Sequence, residues 1–387
     1  MSPASALGVG LLGNGFMAKA HTKGLLDANL LRSRPVPVEL VSISGRNEAA
    51  LEEACSRYGW GGYTTDWKEQ VDDPRITLFH NTAPNALHVE PTIAAVRAGK
   101  HVLCEKPLAT NADAAFDMWQ AAEVAGVSHM CGFNFRFAPA ARLAHNMIRA
   151  GELGEIIHVR AQFLESSGLE DRGLTWRDSA TEAGTGAIAD LGSHIIDLAR
   201  WLVGEPASVQ ARTLTLITER AAGRVEVDDA FSAIFDFVSG ATGVLEASRV
   251  AGGIGTRCAI EIDGTHGSLR FSSERLNDLE HAGRDRVVRT IRATAGGHPF
   301  MELWWPHPGH AIGWGDTFTH EINHLLDVLT EGSSLTPSAA DFQDGYRCAE
   351  ICDAILQASL SHTREQIAFR PLNHPPGSPA SVAGVRR

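Results

Sequence analysis

Glu105-Lys106-Pro107 closes the apolar run His101 to Cys104 and sets a fixed ammonium at the end of a predicted strand. Proline disfavours the α region at the residue before it, so Lys106 is expected on extended chain. An ammonium held there can hydrogen-bond a hydroxyl or carbonyl oxygen and polarise it. A second set of groups suits proton transfer. Asp190-Leu191-Gly192-Ser193-His194 places a carboxylate and an imidazole at i and i+4, which stack on one face of a helix. Oxidising an alcohol needs a base for the hydroxyl proton as hydride leaves carbon. Histidine titrates near the working pH, and a neighbouring carboxylate can raise and orient it. An isolated Asp/His pair is more often structural, but Gly184, Gly186 and Gly192 around it imply close backbone approach. Asp197 either supports the pair or is a plain helix-face residue.

Gly13-Asn14-Gly15-Phe16-Met17-Ala18 lies between a predicted strand and a predicted helix. The first glycine permits the turn, the second lets a pyrophosphate approach, and Ala18 lets helix and strand pack closely. The helix N-terminus supplies N–H groups for phosphates. Gly13, Gly15, Phe16 and Met17 are therefore expected against a dinucleotide. The second strand ends in Ser44-Gly45-Arg46-Asn47, with no acid for a ribose 2′-hydroxyl. Ser44, Asn47 and Arg46 suit a 2′-phosphate, which favours NADP over NAD; the alternative is a solvated Arg46, with Glu48 or an unusual contact serving NAD. Thr82-Ala83-Pro84-Asn85 with His88 follows a strand where a loop should meet the nicotinamide ribose, although a Pro-Asn turn capping the next helix also explains Asn85.

Two further motifs have a competing plain explanation. His320-Glu321-Ile322-Asn323-His324 has the zincin spacing. No third ligand follows, and Ile322, Leu325, Leu326 and Leu329 make the segment one amphipathic helix, so no metal is expected. Trp304-Trp305-Pro306-His307-Pro308-Gly309-His310 suits stacking on a sugar face, or equally a lid or interface contact.

These residues need a scaffold. The first third alternates predicted strands (Leu7 to Leu12, Val38 to Ser44, Ile76 to Asn81, His101 to Cys104, Val127 to Phe133) with helices (Gly13 to Leu26, Glu48 to Tyr58, His88 to Ala98, Asn111 to Ala125), the pattern of a doubly wound parallel sheet. Asp27 to Pro37 is read as an insertion. A linking helix, Ala138 to Ala150, leads into strands separated by glycine turns: Ile156 to Glu165, Val209 to Thr218, Ala230 to Phe237, Thr242 to Ser248, Cys258 to Asp263 and Ser268 to Ser272. That is an antiparallel signature. Helices are expected at Ile188 to Leu202, Asp316 to Leu329 and Ser338 to Ser359. The reading is an α/β chain: a Rossmann domain over 1–133, an α/β domain with a large, mostly antiparallel open sheet over 134–372, and a disordered tail over 373–387.

The 387 residues, 44% hydrophobic and 21% charged, are those of a globular protein with a sizeable core. A net charge of −12 argues against nucleic acid and anionic membranes. No apolar run approaches the ~20 residues of a membrane span, and the N-terminus lacks a basic signal region. Six scattered cysteines without Cys-x-x-Cys imply a reduced, cytoplasmic compartment.

Taken in order, these motifs resemble the Gfo/Idh/MocA family of nicotinamide-dependent sugar and inositol oxidoreductases. The resemblance spans Leu7 to Ser359. It rests on Gly13-x-Gly15-x-x-Ala18 with His21, Thr82-Ala83-Pro84-Asn85-x-x-His88, Ala98-Gly99-Lys100-His101-Val102 before Glu105-Lys106-Pro107, and Phe133-Asn134-Phe135-Arg136. Gly186-x-x-x-Asp190-x-Gly192-x-His194-x-x-Asp197 and Gly264-x-x-Gly267-Ser268 complete it. Ala83 and Ala18 stand where threonine and glycine are commoner. The resemblance implies Lys106, Asp190 and His194 as catalytic residues, Glu105 among the cofactor contacts, Asn134 and Arg136 among the substrate contacts, and a homodimer or homotetramer formed through the open sheet. Thr175-Trp176-Arg177, Trp305-Pro306 and Gly313-Trp314-Gly315 look like the pyranose-oxidising branch that contains levoglucosan dehydrogenase, in which Trp176 and Arg177 would close over nicotinamide or substrate. The expected activity is NAD(P)-dependent hydride transfer at a secondary alcohol of a sugar, anhydrosugar or inositol. A non-catalytic dinucleotide sensor and an NAD-dependent glycosidase are the alternatives.

Overall fold

The computed structural model describes residues 6–221, 223–295 and 308–372. Trp304 to His307 of the aromatic loop and the expected tail, 373–387, lie outside them. The first unit runs β1 (Leu7–Leu12), α1 (Phe16–Leu31), β2 (Val38–Ser44), α2 (Glu48–Tyr58), β3 (Tyr63–Thr64), α3 (Trp67–Asp72), β4 (Ile76–Asn81), α4 (Val89–Arg97), β5 (His101–Glu105), α5 (Ala112–Ala125) and β6 (His129–Gly132). Its strands are parallel, in the order β3-β2-β1-β4-β5-β6. Every residue of β1 is buried, as expected of a strand covered on both faces. Strand order reverses between β1 and β4, the point where such sheets bind ligands at the carboxyl ends of their strands. Leu12, Asn81 and Glu105 end the three strands around it.

The chain continues through α6 (Pro139–Arg149), β7 (Ile156–Glu165), the short α7 (Ala180–Ala183), α8 (Ser193–Val203) and β8 (Pro206–Leu214). A small ladder, β9 (Glu219–Arg220) and β10 (Gly223–Arg224), precedes β11 (Ala230–Phe237), β12 (Thr242–Ser248), β13 (Thr256–Gly264), β14 (Ser268–Ser272), β15 (Asp278–Ala282) and β16 (Val288–Arg292). Then follow α9 (Trp314–Glu331), α10 (Phe342–Ser361) and β17 (Glu365–Gln366). Nine strands form the second sheet, in the order β16-β15-β14-β13-β7-β12-β11-β8-β17. Among the described residues of this sheet, β7 and β12 pair in parallel and the other pairings are antiparallel. In β11 and β12 buried residues alternate with exposed ones, so one face lies on the core and the other is open.

The structure corrects the sequence reading in several places. Helix α1 runs on to Leu31, into the segment read as an insertion, because Leu25 and Ala28 continue its buried face. Strands β15 and β16 were not expected; they extend the sheet where Asp278, Arg289 and Arg292 conceal the alternation. Helix α9 returns to the first unit, where Ile322, Leu325 and Leu326 share a core with Leu7, Val9 and Leu11. The first unit is therefore completed by residues from the far end of the chain.

Candidate active site

Gly13 has φ +113°, and a Cβ there would lie 2.5 Å from the Thr82 hydroxyl. The turn is thus closed to other residues. Gly15 caps α1 without a side-chain bond, and a Cβ there would meet nothing within 4 Å. Gly15 thus leaves open space at the N-terminus of α1, whose first N–H groups suit a dinucleotide pyrophosphate. Phe16 is 68% exposed and stacks on Trp314 at 5.6 Å, with Met17 half-buried beside it.

Several expected cofactor contacts have their side chains turned into the protein. Ser44 is fully buried and donates to Gln70 Oε1 at 2.7 Å. Asn47 caps α2 through the Ala50 N–H. Of the groups read as suited to a 2′-phosphate, only Arg46 remains exposed and unengaged. Thr82 donates to the Leu12 carbonyl, and Asn85 reaches the Ala183 carbonyl of the second unit. His88 lies between the carbonyls of Pro107 and Ala83, and Glu105 turns to His21 and to the Lys106 N–H. The backbone of 82–85 still borders the switch point, so these side chains hold the segments around it together.

Lys106 follows β5 and reaches across to the second unit. Its Nζ is 2.8 Å from the Asp190 carbonyl oxygen and 3.2 Å from Asp190 Oδ1. Arg177 Nε stands 3.6 Å from Asp190 Oδ2, and its guanidinium lies 4.3 Å over the Trp176 ring. Asp190 sits in a π-helical turn, Ile188–Gly192, that leads directly into α8. Asp228 anchors the start of this turn by accepting the Gly186 and Ile188 N–H groups at 2.7 and 2.9 Å. The expected close approach is present: a Cβ on Gly186 would lie 1.8 Å from the Asp228 carbonyl oxygen.

Asp190 and His194 are not hydrogen-bonded to each other. Desolvation raises the Asp190 carboxyl, but the charges of Lys106 and Arg177 outweigh it and leave the group below its ordinary value. The His194 imidazole is 8% exposed, among the rings of Phe133, Phe135 and Phe163. Burial first, and then the Lys106 charge, push it well below 6.5 against the opposing pull of Asp190. The i, i+4 spacing thus delivers two groups to one place while tying the carboxylate to the lysine.

Asn134 and Arg136 do not reach this cleft. Asn134 is buried and donates to the Thr317 hydroxyl. Arg136 makes a two-pronged bond to Asp197 at 2.9 and 2.6 Å and also holds Asp344 and the Ala339 carbonyl. Those partners leave its buried guanidinium little capacity for a ligand, and they give Asp197 a structural task. Sequence reasoning missed Glu165, at the end of β7, a carboxyl that feels the charges of Asp190, Lys106 and Arg177. Its position at a strand end was the available signal. Burial raises its pKa, and Ser167 donates to it. In α9, His324 bonds the Leu335 carbonyl at 2.9 Å, and among the described residues no three His, Cys, Asp or Glu side chains converge as a metal site.

A parallel sheet wound on both faces around a glycine turn, with a strand-end lysine meeting a carboxylate of a second unit, is the architecture of a dinucleotide-binding oxidoreductase. Residues 7–133 match the oxidoreductase family with NAD-binding Rossmann fold, and residues 141–270 match the GFO/IDH/MocA C-terminal domain. Over 383 residues, the chain is 37% identical to levoglucosan dehydrogenase of Pseudarthrobacter phenanthrenivorans, covering 92% of this chain and 97% of that one. It is 27% identical to glucose-6-phosphate 3-dehydrogenase of Bacillus subtilis over 359 residues, covering 90% and 95% of the two chains. A solved levoglucosan dehydrogenase in complex with NADH and levoglucosan superposes with a TM-score of 0.90 at 36% identity, over 94% of this chain and all of the other. The chain belongs to the GFO/IDH/MocA family of oxidoreductases.

Proposed function

We propose that this enzyme transfers hydride between a secondary alcohol of a sugar, anhydrosugar or cyclitol and NAD. The observation that carries the reading is the meeting of Lys106 and Asp190 across the two units, beside an imidazole that burial keeps neutral. The nicotinamide, when bound, supplies the hydride acceptor or donor. The protein's residues handle the oxygen. Lys106 donates a hydrogen bond to it and stabilises the negative charge that grows there as the hydroxyl proton leaves. His194 accepts that proton, and in the reverse direction returns it; such general acid/base catalysis contributes ~10²–10⁴-fold. Asp190 acts on Lys106: it fixes the ammonium and balances its charge, which is a different task from orienting His194.

Two of the three groups suited to a 2′-phosphate are engaged elsewhere, and the similar levoglucosan dehydrogenase is solved with NADH, so NAD is the proposed cofactor. Similarity to that enzyme over nearly the whole chain makes a pyranose or 1,6-anhydropyranose the substrate class to test first. Levoglucosan, glucose, glucose 6-phosphate and myo-inositol should be screened with NAD and with NADP by nicotinamide absorbance. Turnover of at least one sugar with NAD is expected. His194→Ala and Lys106→Ala should keep cofactor affinity and lose turnover by the factor above. Wild-type rates in both variants would refute the assignment, and glycoside cleavage without net cofactor reduction would redirect it.

A further inference from the structure

Lys106 sits in a turn gripped on both flanks by buried imidazoles. On one side His21 Nε2 lies 3.0 Å from Glu105 Oε1, and Glu105 Oε2 accepts the Lys106 N–H at 3.1 Å. A carboxylate only accepts, so His21 is the donor. On the other side His88 Nδ1 lies 2.8 Å from the Pro107 carbonyl oxygen and its Nε2 2.9 Å from that of Ala83; both oxygens only accept, so the neutral ring holds the Pro107 carbonyl in its Nδ1–H tautomer. His21 is 0% and His88 1% exposed, so neither touches a substrate or cofactor.

Each imidazole comes from a different wall of the cofactor cleft. His21 lies on α1, whose first turn carries the glycine cradle, and His88 ends the turn that begins at Thr82-Ala83-Pro84-Asn85. We propose that His21 and His88 are positioning residues that lock the Lys106 turn to the two segments bordering the cofactor, so that a formed cofactor cleft and a correctly aimed ammonium are one arrangement. The proposal rests on the catalytic role of Lys106. It needs no proton transfer through either imidazole. An ammonium displaced by a fraction of an ångström still binds a hydroxyl, but it stabilises the developing negative charge less well.

The test uses the full-length enzyme, NAD and the sugar turned over fastest in the panel above. His21→Leu and His88→Leu should each lower kcat on the order of tenfold to a hundredfold, with the NAD dissociation constant and sugar KM changed less than about threefold. His21→Gln, which keeps a donor toward Glu105, should recover most of the loss. Because His21 acts through Glu105, His21→Leu combined with Glu105→Gln should be no slower than the worse single variant. Loss of NAD affinity with kcat intact at saturating NAD would overturn the proposal, as would additive losses in that cycle. A substrate-free readout stands beside these. The chain has five lysines, Lys19, Lys23, Lys68, Lys100 and Lys106, so ¹³Cε-lysine labelling gives a spectrum that Lys106→Ala assigns. The Lys106 resonance should shift in both leucine variants and return in His21→Gln; an unmoved resonance refutes the clamp even in a variant too unstable for kinetics. If Lys106→Ala turns over normally, the catalytic reading has failed. If Lys106→Ala is inactive while both leucine variants behave as wild type, the clamp alone has failed.

Discussion

At the scale of single residues, the buried ionisable groups divide into those with partners and those without. Arg136 and Asp197 satisfy one another deep in the protein. Glu321, 1% exposed, has neither carboxyl oxygen in a hydrogen bond. Burial, followed by repulsion from Glu105 and Asp197, raises its pKa well above 4.5, against the opposing charge of Arg136. Above about pH 4.5 the folded chain holds a proton that the unfolded chain releases, so the contribution of Glu321 to stability is complete below that pH. It is lost as pH rises through the folded value, at about 1.4 kcal/mol per pH unit. Glu321→Gln keeps the shape and cannot ionise. Its stability relative to wild type, read from urea midpoints, should therefore improve as pH rises above about 4.5; an offset that stays constant above that pH would show that Glu321 ionises normally. The same contrast explains what could not be read from residue types. Asn134 and Arg136 look like ligand-binding groups, yet only the fold shows that Thr317, Asp344 and Asp197, far apart in sequence, absorb their bonding capacity.

At the scale of elements, the placing of Asp190 against Lys106 depends on how the Asp190 turn is held. Gly186 lies so close to the Asp228 carbonyl that an added Cβ would stand at 1.8 Å, and both groups are backbone. Gly186→Ala must push the two segments apart, a cost of ~1–3 kcal/mol or more, and must move the anchor of the Asp190 turn. Gly62→Ala is a fair control, because a Cβ there meets nothing within 4 Å. Chemical denaturation should show a clear loss for Gly186→Ala and almost none for Gly62→Ala, and kcat should fall only in the former. Equal stability in the two variants would contradict this account of the turn. The sequence announced these elements unequally. Strands β1, β2 and β4 were legible to the residue, as short runs rich in apolar, mostly buried residues between helical patterns. The π-helical turn at Ile188–Gly192 was not, since hydrophobic periodicity records which face is buried and not whether a backbone bond spans four residues or five. The Lys106, Asp190 and His194 cluster was legible as types and spacing; the direction of the Asp190 bond, toward Lys106, was not.

At the scale of the whole molecule, the open face of the nine-stranded sheet is the feature the single chain leaves unexplained. Register places Ile234 opposite Val244, Val244 beside Arg160, and then Glu261, Arg270 and Glu280 in succession across the neighbouring strands. Ile234 is 55% and Val244 41% exposed. One row therefore begins with an apolar pair and continues with charges of alternating sign, partly paired already, with Arg160 3.9 Å and Arg270 3.7 Å from Glu261. Alternation of this kind is self-complementary: a second copy turned by a two-fold axis can set Arg against Glu along the same row and cover the apolar pair. None of the candidate site residues lies in this row, because Lys106 comes from the first unit, Asp190 from the turn before α8 and His194 from α8 itself. This row is the proposed interface of the homo-oligomer that the family resemblance implies. Ile234→Lys with Val244→Lys places two like charges beside Arg160 and removes the apolar contact. Sedimentation equilibrium should find an oligomer for wild type and a monomer for the double variant at the same concentration, with kcat per chain retained. Added salt should weaken the wild-type assembly, because exposed charge pairs are screened over about 10 Å at 0.1 M ionic strength. A wild-type monomer at micromolar concentration, or an oligomer untouched by both lysines, would place the interface elsewhere.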